Sequence, residues 1–238
     1  MTTTMASGGG GGGGSQAGSS GAAFAGSSVF WLLLLIAFGL KAASPMGRVH
    51  ALWTQHGLKA ADWALVSAGL SDADPRVRAA ALRVSESLVA GPHRAEVLAR
   101  WTALAAAEAV PEVQLQLALT MGEAKDLAVD LAAAALAQRA AEHIAIQDGF
   151  ISGLAGRELE VFAAVLKQPA AYAKTLPAAL LRCVFAERKP ERIEQALAII
   201  AGLPFKSQQL TLLGSLAAHP TVNAKRPVKL AAEPAALA

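Results

Sequence analysis

Cysteine, aromatic residues, strand-like runs and early charge are all scarce in this 238-residue chain, and each scarcity excludes something. The single cysteine, Cys183, forbids an internal disulfide, and no cysteine–histidine spacing suits a metal. Its neighbours in LLRCVFAERK are helical and apolar, which predicts a buried small hydrophobe. Valine, isoleucine, threonine and aromatics never alternate over a useful length, so no strand is predicted. Charge is spread thinly: eight basic against five acidic residues in 41–100, eight against ten in 101–190, five against three in 191–238. A nucleic-acid binder concentrates basic residues on one face, and this sequence does not point to one. What is abundant is alanine and leucine, both strong helix formers because they lose little side-chain entropy in a helix. The chain reads as all-α.

Residues 1–40 carry no charged side chain. Seven glycines, Gly8–Gly14, sit among Ser, Thr, Ala and Gln. Glycine loses the most backbone freedom on ordering and has nothing to bury in return, so 1–21 is expected to be disordered. Then comes VFWLLLLIAFGL, Val29–Leu40, followed by Lys41. Counted from Ala22, the uncharged stretch is 19 residues, enough to span a bilayer at about 1.5 Å per residue. The segment 22–43 is therefore expected to be a signal peptide or a transmembrane helix, with Ala42-Ala43-Ser44 as a cleavage site in the first case. It lacks the basic start of a signal, and its twelve-residue apolar run, with ten strongly apolar residues from Val29 to Phe38, falls short of a full span, which leaves a buried soluble helix as the alternative. If the segment is an anchor, Lys41 and Arg48 beyond it favour a cytoplasmic folded part.

From Ser44 the pattern repeats. SPMGRVHALWT (44–54), DPRVRAAALRV (74–84) and VPEVQLQLALT (110–120) align by their openings, with prolines at 45, 75 and 111, and EHIAIQDGFISGLAG (142–156) follows about 33 residues on with Ile146 in place of Val113. Proline suits the first helical position, where its missing N–H is not needed. Asp74 is a predicted helix cap. Behind it Val77, Ala81, Val84 and Leu88 recur at helical spacing, as do Val113, Leu117, Met121 and Ala124. Between these helices lie others presenting Trp63, Val66 and Leu70, then Val97, Trp101 and Leu104, then Leu127, Leu131 and Leu136. Trp53, Trp63 and Trp101 are expected to anchor packing. Gly57, Gly91 and Gly122 sit near the junctions. The prediction is an array of helical hairpins over 44–220, ending in a flexible tail over 221–238.

DADPRVRAAALRV resembles a HEAT-type repeat, in which Asp-Pro opens the second helix and an Arg follows a buried Val. The resemblance implies an α-solenoid in which Asp74 and Arg78 bond along the stack. SPMGRVHALWTQHGL, DPRVRAAALRVSESL and VQLQLALTMGE, within 44–215, are also similar to the helical middle of large planctomycete and verrucomicrobial proteins. In those a dehydrogenase-like propeller precedes the repeats and a CxxCH haem module follows. This sequence has no CxxCH and no propeller-length β segment before residue 44, so no haem and no redox chemistry carry over. The scaffold and an extracytoplasmic setting, of bacterial origin, are what the resemblance implies.

No catalytic, cofactor or metal residues are assigned. The histidines 50, 56, 93, 143 and 219 are spread out, and the closest pair, His50 and His56, is six apart where a helical metal pair needs three or four. Ser85 and Ser87 have no evident histidine–acid partnership. Gly8–Gly14 lacks the Lys-Ser/Thr of a phosphate loop. Glu158 and Glu160 open a helix, where the dipole accounts for them. Arg76, Arg83 and Glu86 are the best surface candidates. The expected function is a non-enzymatic scaffold binding another protein, membrane-anchored or exported, with the membrane contacted through 22–40. Two alternatives stand beside it: an accessory module of a haem/dehydrogenase system, and a HEAT-like DNA glycosylase, which would need a connected basic surface with exposed tryptophans.

Overall fold

The computed structural model describes residues 43–168, 175–217 and 227–236, together with Gly39. The disordered tract expected over 1–21 and nearly all of the signal or membrane segment expected over 22–43 lie outside the described residues. The described residues are all-helical, with no strand, and none of their helices is long and apolar enough to cross a membrane. There are eleven α-helices among them: α1 (Pro45–Gly57), α2 (Trp63–Leu70), α3 (Pro75–Ser85), α4 (Arg94–Ala107), α5 (Pro111–Met121), α6 (Leu127–Arg139), α7 (Ile144–Leu154), α8 (Glu158–Val165), α9 (Leu176–Ala186), α10 (Pro190–Ala201) and α11 (Lys206–Ala217).

The helices start where the local chemistry says they should. Pro45, Pro75 and Pro111 each occupy the first turn. Asp62, Asp74 and Asp126 cap α2, α3 and α6, accepting from Leu65 N at 2.8 Å, Arg76 N at 2.9 Å and Ala128 N at 2.9 Å. Two 3₁₀ turns, Glu86–Leu88 and Gly122–Ala124, extend α3 and α5.

The helices α1, α3, α5 and α7 pack side by side in one row, and α4, α6, α8 and α10 in a second row against it. α2 packs on α1 and α3, while α9 packs on α8 and α6 and receives α11. Between them runs one continuous apolar core. Val77, Val113 and Ile146, at matching positions of three successive openings, are 1%, 0% and 1% exposed within it. Trp101 is fully buried, and its indole N–H donates to Ser85 Oγ at 2.8 Å, which in turn donates to the Leu82 carbonyl at 2.5 Å. Trp63 is partly buried and packs against the core.

Two expectations of burial fail. Trp53 is exposed, because it falls on the outer side of α1, one position past Leu52 and two short of Gln55 on the core-facing stripe. Leu127 is exposed because it is the first residue of α6 and lies before the helix has turned onto the core, where Leu136 is buried. The tail is described only over 227–236, which forms no helix, yet Val228, Leu230 and Ala236 lie against the core.

At one point the row leaves no room for a side chain. A Cβ on Gly122 would lie 2.5 Å from the Gly153 Cα, so the end of α5 meets α7 backbone to backbone. Arg157 donates to the carbonyls of both glycines at 3.2 Å and pairs with buried Asp130 through two bonds of 2.9 and 3.0 Å. That pair holds the guanidinium ionised, raising its already high pKa. Removing one partner of a buried ion pair strands the other. Asp130→Ala is expected to cost about 3–5 kcal/mol in urea unfolding, and Gly122→Ala to destabilise through forced separation of α5 from α7.

Candidate functional site

Counting from the residue before each helix of the first row (Ser44, Asp74, Val110, His143) exposes columns that run across the row. The ninth residue on is Trp53, Arg83, Leu119 and Ser152, and all four are exposed. The second residue on is Met46, Arg76, Glu112 and Ala145, again all exposed. The third and tenth positions of α3 and α5, namely Val77, Val84, Val113 and Thr120, are buried. Helical periodicity thus places the two outward columns on one face of the row.

Arg76 and Arg83 project from the middle of this face, each more than half exposed and each compensated by a carboxylate from its own neighbourhood. Arg76 forks onto Asp74 through Nε at 3.0 Å and Nη2 at 2.8 Å. This bond, ahead of the backbone N–H of the same residue, holds the Asp74 carboxyl down to about 2. Arg83 pairs with Glu86 one turn on.

Glu86, read from sequence as a surface residue, is largely covered, because the 3₁₀ turn after α3 folds it towards α5. There Thr120 donates to its Oε1 at 2.7 Å, and Gln116 donates to Thr120 Oγ1 at 3.0 Å. Burial pushes the Glu86 carboxyl above the ordinary 4.5, and Glu123 adds to it, while the Thr120 bond, Arg83 and His56 pull the other way.

The pairing implied for Asp74 and Arg78 along the stack does not form. Arg78 instead reaches Glu108, in the loop before α5, with bonds of 2.9 and 3.0 Å. Arg48, at the same position of α1, reaches Asp72 with bonds of 2.7 and 2.9 Å. Each acid also accepts the backbone N–H of the residue before the next helix, Asp74 at 2.8 Å and Val110 at 3.0 Å. These bonds hold the Asp72 and Glu108 carboxyls below their ordinary values; burial opposes them, and for Glu108 it is the largest single influence. Sequence reading missed Asp72 and Glu108, although both lie two residues before an aligned opening.

Other candidates do not converge. Among the described residues no three His, Cys, Asp or Glu side chains group as a metal site. His56 sits edge-on to Trp53 at 5.9 Å and His93 stacks on Trp63 at 6.5 Å. Ser87 donates to its own helix. Glu158 accepts from Gly156 N at 3.1 Å, and Glu160 pairs with Arg192 at 3.3 Å. Cys183 is half-buried, and burial pushes its thiol up, away from reactivity.

No family model, curated protein or solved structure matches this chain.

The covered Glu86 carboxylate makes a pH signature. Its raised folded value means that it adds stability below about 4.5, and this is lost as pH rises through the folded value. Asp72, Asp74 and Glu108 work in the opposite sense, losing their contribution as pH falls through their lowered values. Glu86→Gln, which keeps an acceptor for Thr120, is therefore expected to raise Tm at pH 7. The gain should vanish below pH 4 in parallel thermal melts.

Proposed function

We propose that the hairpins form a HEAT-like α-solenoid that acts as a non-enzymatic scaffold, binding a protein partner across the face that carries Trp53, Arg83 and Leu119. The observation that carries the proposal is the column itself: one exposed side chain per neighbouring helix, two of them large and apolar, around an arginine. Tryptophan and arginine are the residues most often found to dominate binding energy at interfaces. Neighbouring packed helices lie roughly 8–10 Å apart, so the three positions span roughly 16–20 Å. An extended peptide rises about 3.3 Å per residue, so five or six residues would cover them.

Stacked modules hold such a spacing without ordering cost at the moment of binding, because each module is fixed by its neighbours. The compensation of Arg76 by Asp74 and of Arg83 by Glu86 favours a mixed polar and apolar partner over a phosphate backbone. A redox protein of the haem-and-dehydrogenase type is one identity such a partner can have.

The test is affinity capture from the native host with membrane and soluble fractions kept apart, using the full chain and a Trp53→Ala/Arg83→Glu/Leu119→Ala variant. All three side chains are exposed, and circular dichroism with thermal melts checks that the variant keeps its fold although Arg83→Glu removes the partner of Glu86. The expected result is a protein captured by the wild type and reduced at least tenfold with the variant. Recovery of DNA with no protein partner would overturn the proposal, as would equal capture by both forms.

A further inference from the structure

Among the described residues, four arginines hold both oxygens of a carboxylate, and all four use the same edge of the guanidinium. Arg48 on Asp72, Arg76 on Asp74, Arg78 on Glu108 and Arg157 on Asp130 each donate through Nε and Nη2, with bonds of 2.7–3.0 Å. In Arg48 and Arg78 the remaining nitrogen, Nη1, is anchored on a backbone carbonyl, of Ala43 and Ala73. Arg83 has the anchor without the ligand. Its Nη1 donates to Glu86 Oε2, while its Nε and Nη2 have no partner among the described residues. The edge that is filled in the other four is open here, on a side chain 56% exposed.

Glu86 is committed elsewhere. Its second oxygen accepts from Thr120 at 2.7 Å, and it is largely covered, so it pins one nitrogen of Arg83 and leaves the open edge to an outside acceptor. Trp53 and Leu119 flank that edge, on the helices α1 and α5 that pack on either side of α3. Asp74, Glu86 and Glu112 already bring negative charge to this part of the row, so a singly charged carboxylate is repelled less than a phosphate dianion. The spacing selects a backbone. Packed helices lie roughly 8–10 Å apart. A polyproline II helix returns a side chain to the same side every third residue, about 9 Å on. A β-strand does so every second residue, about 7 Å on, and falls out of step.

We propose that the Nε/Nη2 edge of Arg83 receives an aspartate or glutamate side chain of an extended partner segment, whose apolar residues three before and three after it rest on Trp53 and Leu119. The occupant is a polyproline II stretch of the pattern apolar–x–x–acid–x–x–apolar. Its seven residues span about 19 Å, the reach of the three-helix column. The inference rests on the reading of this face as a protein-binding surface and names the chemistry of the partner.

The test titrates the full chain into fluorescein-labelled peptides LPPEPPL and LPPQPPL and follows anisotropy. The acidic peptide should bind about tenfold more tightly than the neutral one, as expected for losing a charge-assisted pair. Arg83→Lys keeps the positive charge and loses the fork, and it should abolish that preference while changing the affinity for LPPQPPL less than twofold. Trp53→Ala and Leu119→Ala should weaken both peptides alike. If Arg83→Lys fails to fold, the two peptides on the wild type decide alone. Equal binding of both peptides by the wild type, lost in Trp53→Ala, overturns the carboxylate and leaves the binding face standing. Tighter binding of the same peptide with phosphoserine in place of glutamate overturns it in favour of a phosphate. No saturable binding of either peptide up to about 1 mM overturns the inference, and the capture experiment then decides the scaffold reading separately.

Discussion

An α-helix leaves its last carbonyls without partners inside the helix itself, and where short helices pack together several of those ends are covered. Here arginines from other helices and loops, 30 to 36 residues away along the chain, satisfy several of them. Arg100 donates to the Leu70 carbonyl at the end of α2, Arg139 to Ala105 at the end of α4, Arg94 to Ala124, Arg157 to Gly122 and Arg192 to Gly156. The separations along the chain are 30, 34, 30, 35 and 36 residues, which is the spacing of the openings themselves. A guanidinium suits this task because its planar fork of donors can serve two acceptors at once, as Arg157 does with Asp130 on one side and two glycine carbonyls on the other. Burial of apolar surface drives the helices together. These bonds fix how they sit, since a helix shifted out of register would leave both the carbonyls and the arginines unpaired.

The junctions show the same logic with varied residues. Arg48 and Arg78 face an acid in the following loop, Asp72 and Glu108. The next two openings carry Gln114 and Gln147 at the corresponding position. The loop before α7 has Ala141 where an acid would stand, and Gln114 turns back to the Glu108 carbonyl at 2.8 Å. Gln147 accepts from Thr175, the residue before α9, at 3.0 Å. Arginine appears where a carboxylate waits for it, and a neutral amide where none does. A buried arginine without its acid would be costly, so the two positions are chemically tied even though they lie 24 to 30 residues apart.

This coupling explains which features were legible in the sequence. The openings were, because proline at the first turn and aspartate at the cap act on their own few residues. So was the buried stripe through Val77, Val113 and Ile146, because periodicity is local to one helix. The Arg78–Glu108 pair was not, because its partners lie 30 residues apart, one in a helix and one in a later loop, and only an alignment of the loops brings them together. The misplacement of Trp53 has the same origin. Judged by residue type it belonged inside; judged by its column, shared with Arg83 and Leu119, it belonged outside. Glu86 erred in the other direction. A charge at a helix end reads as solvated unless the turn that follows is known to fold it under a neighbour's threonine.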